Sequence, residues 1–113
     1  MSRCELEHLL LVCYAILGIR ADALQWGERA CANIDDILLL RNAPAEEKCL
    51  KQLKGRILSD VTSVYVESGE LNAAQKMLHF AAHLLQEHGD TIGHAKALLT
   101  SGCIQYVLKR KPK

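Results

Sequence analysis

Apolar residues recur along the chain at steps of three and four, the spacing that places them on one face of a helix. Leu6, Leu9, Leu10, Cys13 and Leu17 form a first such series, and Leu24, Ala30, Ile34, Ile37 and Leu38 a second. Between them lies Gly18-Ile19-Arg20-Ala21-Asp22. There the glycine can end one helix in the left-handed conformation, and Asp22 is expected to cap the next with Gln25 as its reciprocal partner. So short a turn makes the two helices antiparallel neighbours. The second helix is expected to reach about Leu40 and close on Arg41-Asn42-Ala43. Pro44 then opens a long third helix, with Glu46 and Glu47 at its positive end and Gly55 inside it, to about Glu67. Asn72, with Gln75, is expected to cap a fourth helix that carries Ala73, Ala74, Met77, Leu78, Ala81, Ala82 and Leu85 and ends at His88-Gly89. A fifth starts at Asp90 or Thr91 and holds Ala95, Leu98, Leu99, Gly102, Ile104, Tyr106 and Leu108. The predicted fold class is all-α, about five helices in stacked antiparallel hairpins, with one domain over residues 1–108 and a basic tail over 109–113.

Overlaying the two helix pairs reveals an internal repeat. Tyr14, Gly18, Ala23 and Ala30 share the spacing Y-x3-G-x4-A-x6-A with Tyr65, Gly69, Ala74 and Ala81, displaced by 51 positions. Each residue type has a packing role: the tyrosine fills the gap between antiparallel helices, the glycine makes the turn, and the alanines let backbones approach.

This spacing resembles the tetratricopeptide repeat, a helix-turn-helix unit that stacks into a solenoid, and the resemblance runs from Glu5 to about Leu108. The segment Gly89-Asp90-Thr91-Ile92-Gly93-His94-Ala95 looks like the G-D-x-x-G-x-A junction between repeats in one subset of that family, and opens a third, unfinished repeat. The period of 51 exceeds the family's 34, so the second and third helices must each be extended by about two turns, as in long-helix members. The signature tryptophan is missing from the first helices; Trp26 sits on a second helix. Of the family's lysine and asparagine clamp for peptide carboxylates, the matching positions hold His8, Val12, Ser59 and Ser63, which disfavours that mode of binding.

Composition supports the helical reading. Leucine (19) and alanine (13) far outnumber the 12 valines and isoleucines, so helix formers dominate. Fourteen Lys and Arg against thirteen Asp and Glu leave a formal charge of +1, too weak a field to gather nucleic acid or an anionic membrane. The longest apolar run, Leu9 to Leu17, is far short of the roughly 20 residues a membrane helix requires. Five cysteines at wide spacings, Cys4, Cys13, Cys31, Cys49 and Cys103, suit a reduced, cytoplasmic chain rather than a disulfide framework. The tail Lys109-Arg110-Lys111-Pro112-Lys113 reads as solvated helix-end charge, with nuclear import as the sharper alternative.

Chemistry-bearing constellations are sparse. His79, His83 and Glu87 share one helix face, yet H-F-A-A-H lacks the glutamate of H-E-x-x-H, and no third ligand is fixed by spacing. Cys103 has no base assigned to it. No catalytic residue, metal or cofactor is expected, and no enzyme activity. The expectation is an adaptor or scaffold subunit. The first helix of each pair would line a groove for a partner's helix or extended peptide, through Glu5, His8, Leu9, Val12 and Ile16 in one repeat and Ser59, Asp60, Ser63 and Glu67 in the next. That groove would be apolar at one end and acidic at the other, suiting a partner with a basic stretch. The apolar first and fifth helices would leave the solenoid ends open to a partner chain or a second copy. A small chaperone that masks an aggregation-prone client, resembling those of bacterial secretion systems, is the alternative.

Overall fold

The computed structural model describes residues 3–40 and 44–110, with side chains described for all of these except 44–46 and 110. Five helices follow one another: α1 (Arg3–Ile16), α2 (Arg20–Leu40), α3 (Pro44–Glu67), α4 (Leu71–Glu87) and α5 (Thr91–Arg110). Among the described residues there is no strand, and the fold is all-α. The expected closing residues of α2, Arg41-Asn42-Ala43, and the tail residues Lys111-Pro112-Lys113 lie outside the described residues.

Three turns of identical construction reverse the chain. Gly18, Gly69 and Gly89 hold φ of 78°, 80° and 76°, the left-handed region that costs a side-chain-bearing residue roughly 1–2 kcal/mol. Around each, two backbone bonds close the end of the preceding helix. In the first, the N–H of Gly18 reaches the Ala15 carbonyl at 3.1 Å and that of Ile19 the Tyr14 carbonyl at 2.9 Å. Gly69 and Glu70 repeat this on Val66 and Tyr65, and Gly89 and Asp90 on Gln86 and Leu85. Tyr14 and Tyr65 therefore occupy equivalent places, each half-buried against the core with its carbonyl accepting the closing bond.

This closure corrects the expected caps. Because Ile19 and Glu70 are fixed by the turn itself, their carbonyls already accept from Ala23 and Ala74, and the helices restart one residue later. Asp22 therefore falls inside the first turn of α2. Asn72 lies inside α4, whose capping residue is Glu70 with no side-chain cap bond.

The 51-residue displacement holds in three dimensions. Cys4 and Gly55, Leu11 and Thr62, Ala23 and Ala74, Gly27 and Leu78, Ala30 and Ala81, and Ile34 and Leu85 are all buried pairs of equivalents. α1 packs along α2, α3 along α4, α2 against α3 and α4 against α5; in addition α1 touches α3 and α3 touches α5. The first helices of the repeats thus lie in one row, with α2 and α4 behind. One core cluster joins α1, α2 and α3 through Leu11, Ala30, Ile34, Ile57 and Val61, and a second joins α4 and α5 through Ala74, Leu78, Leu85, Ala97 and Ile104. Tyr65 packs against both. The buried Glu7 carboxylate accepts from the Asn33 amide at 2.7 Å, so this polar group in the α1–α2 seam is satisfied.

Two glycines mark close helix contacts, Gly27 between the hairpins and Gly55 within the second. A Cβ on Gly27 would stand 2.6 Å from the Val61 Cγ2, and one on Gly55 2.9 Å from Leu85. Gly102, by contrast, has nothing within 4 Å of such an atom. Opposite signs are expected from the same chemical change: Gly27→Ala should lower the urea-unfolding free energy by about 1–3 kcal/mol through overpacking. Gly102→Ala should raise it by up to about 1 kcal/mol through helix propensity.

Candidate functional site

The row α1, α3, α5 forms a groove of about 400 Å³ lined by His8, Arg56, Ser59, Asp60, Leu85, Ile92, Gly93 and Lys96. Its walls are set by polar side-chain pairs between elements. His8 Nε2 meets Asp60 Oδ2 at 2.5 Å, fastening α1 to α3 across 52 residues of sequence. On the other side Arg56 Nε donates to Asp90 Oδ2 at 2.6 Å, fastening α3 to the start of α5.

Asp90 organises this second wall. It is buried, it precedes the first residue of α5, and its Oδ1 accepts from the Gly93 N–H at 3.1 Å, a side-chain cap on the helix. The Arg56 guanidinium, and then the Gly93 N–H, hold its carboxyl below the ordinary value, against the opposing effect of burial. A side chain at Gly93 would displace the capping carboxylate, since a Cβ would stand 2.8 Å from Asp90 Oδ2. The G-D-x-x-G segment thus spells a turn, a cap with an ion pair, and a close approach, in that order.

Of the groove residues expected from the sequence, the structure brings together His8, Ser59 and Asp60. Glu67 lines a smaller hollow of about 230 Å³ beside the turns, with Ala15, Gly18, Arg20, Val64 and Ser68, at the end where Arg20 pairs with Glu70. Val12 is half-buried; Glu5, Leu9, Ile16 and Ser63 are exposed, Ile16 at 79%. Ile92, Gly93 and Lys96 were not anticipated, because the face arithmetic stopped at the second repeat; Arg56, the equivalent of Glu5 on the second repeat's own first helix, was passed over. The signal was present in the G-D-x-x-G junction, which sets residues 92–96 on the opening turns of a third first-position helix. The two cations make mixed in charge the part of the groove that was expected to be its acidic end.

Elsewhere the reactive side chains have structural surroundings. Burial pushes the Cys31 thiol up to about 11, and burial with the Glu7 carboxylate nearby raises Cys4, so both are protonated at neutral pH and poor nucleophiles. His83 Nε2 lies 3.2 Å from Glu87 on the exposed face of α4. Among the described residues no group of three or more His, Cys, Asp or Glu is placed to hold a metal ion, and no helix is long and apolar enough to cross a membrane.

The chain matches no family model, no curated protein and no solved structure.

Because the Asp90 pKa is lowered in the folded chain, the charged form contributes stability above the unfolded-chain value near 3.9, and that stability is lost as pH falls through the folded value. Asp90→Asn keeps an oxygen for the cap and removes the charge. It should destabilise by about 1 kcal/mol at pH 7, Arg56 being largely solvent-exposed. The gap between wild type and variant should close as pH is lowered below about 4, read from urea midpoints across pH.

Proposed function

We propose that the chain is a non-enzymatic adaptor that holds a segment of a partner protein, helical or extended, in the groove between α1, α3 and α5. The observation that carries this reading is the parallel row of first-position helices, whose side chains offer a partner both donors and an apolar contact. Lys96 is exposed, the Arg56 side chain is 58% exposed with its Nε bonded to Asp90, Ser59 offers a hydroxyl, and Ile92 is exposed at 74%. A shallow groove of this kind suits recognition of a chain by shape and charge, whereas small-molecule chemistry favours a pocket that buries most of its ligand. The tetratricopeptide-like spacing of Tyr14-Gly18-Ala23-Ala30 and Tyr65-Gly69-Ala74-Ala81 supports the same reading. No cofactor is assigned.

A second reading, a small chaperone that masks a client, is favoured by the amount of large apolar surface left outside, including Ile16, Leu17, Leu39, Leu40 and Leu99, each at least 70% exposed. The two differ in behaviour. A chaperone purified alone should precipitate and be kept in solution by its client; an adaptor should stay folded and release its partner reversibly.

A photo-crosslinking residue at Ser59, in the groove, and at Lys76, on the exposed side of α4, separates groove binding from other contact. The expected result is one polypeptide captured at 59 and not at 76, with its affinity lowered about tenfold, near 1.4 kcal/mol, by Lys96→Glu. Capture at 76 alone, or affinity indifferent to Lys96→Glu, would remove the groove from the account.

A further inference from the structure

In the groove of the proposed adaptor the carboxylates are satisfied within the fold and the cations are not. Asp90 is buried, and both its oxygens are taken, Oδ2 by Arg56 Nε at 2.6 Å and Oδ1 by the Gly93 N–H at 3.1 Å. Asp60 meets His8 Nε2 through Oδ2 at 2.5 Å. The donors are used less fully. The bond to Asp90 occupies the Nε–H of a guanidinium that carries five N–H donors, and the Arg56 side chain stays 58% exposed. Lys96 is exposed and has no carboxylate partner among the described residues. Its own helix can supply none, because α5 contains neither Asp nor Glu. Two cations therefore line one hollow with no carboxylate placed between them.

We infer, on the basis of the groove-binding adaptor reading, that the partner segment carries an acidic side chain, aspartate or glutamate, which enters the hollow against Lys96 and Arg56 with an aliphatic neighbour on Ile92. The groove's own charges choose between the two signs. An incoming carboxylate gains a charge-assisted bond from an ammonium that has no carboxylate of its own and from the remaining guanidinium donors, and it relieves the repulsion between the two cations. An incoming ammonium would find Asp90 buried and saturated. At Asp60 it would have only what His8 leaves, and it would stand against Lys96 and Arg56. The sign is opposite to the one expected from the first two repeats, because Lys96 belongs to the third. Ile92 lies four residues before Lys96 and so shares its helix face, exposed at 74%. The apolar contact and the ammonium are therefore offered side by side, and the segment that matches them sets an aliphatic residue next to its acid. The acid is a side chain within the segment, and no chain end is required.

The probe is a library of random peptides displayed between fixed flanks, so that no chain end is presented, selected on the full chain. Aspartate or glutamate should be enriched at one position beside an aliphatic residue, and replacing that acid by its amide in a selected peptide should weaken binding about tenfold. The same selection on Lys96→Glu should lose the acidic preference, and on Lys96→Arg should keep it, with helical circular dichroism unchanged in both. Enrichment of lysine or arginine, enrichment of no charge, or an acidic preference that survives Lys96→Glu would overturn the inference. Selected peptides of those kinds that still crosslink through a photoreactive residue at Ser59 would leave the groove reading standing without it. A library that yields no binder, or binders captured at Lys76 and not at Ser59, would remove both.

Discussion

The two hairpins become one body where Gly27 of α2 meets Val61 of α3. There is no room at that point for a single additional methyl group, 2.6 Å being well inside contact distance. Because α2 lies this close, Ile57, Val61 and Val64 of the second hairpin share a core with Leu11, Ala30 and Ile34 of the first. α1 is thereby brought into contact with α3 on the opposite side. The groove follows from this: Asp60 can only face His8 if the first-position helices run side by side, and they do so because α2 packs against α3 without side-chain bulk between them.

The same logic explains how much could be read in advance. Helix number, order and approximate limits follow from apolar periodicity, and the repeat follows from residues whose packing role admits few substitutes: a glycine at positive φ, and alanines at zero exposure such as Ala23, Ala30, Ala74 and Ala81. Capping was misplaced at Asp22 and Asn72 because a polar residue near a helix start satisfies the capping rule in sequence. Which residue actually takes the cap position is decided by the turn closure that precedes it. At Asp90 both coincide, and there the cap forms. The groove was half legible. His8, Ser59 and Asp60 follow from the face of two complete repeats. Arg56 could have been read as the equivalent of Glu5 one repeat on, whereas Lys96 needed the placement of α5, which depends on tertiary packing through Ala97 and Ile104.

Charge in this protein acts locally. A net charge of +1 gives the surface no dominant field, yet pairs that join different helices or the turns that start them recur: His8 with Asp60, Arg20 with Glu70, Lys54 with Asp35, and Arg56 with Asp90. Each links two elements already brought together by apolar contact. Half-exposed pairs add little stability individually; their consequence is register, since each can form only in one alignment of its helices. The groove inherits its charge pattern from two of them.

The juxtaposition of α1 with α3 is tested most directly by a double-mutant cycle on His8 and Asp60, residues 52 positions apart in sequence and 2.5 Å apart in the fold. Unfolding free energies of wild type, His8→Ala, Asp60→Ala and the double variant should give a favourable coupling of about 0.5–1 kcal/mol. Strictly additive effects, with the single variants folded, would contradict the side-by-side row on which the groove depends.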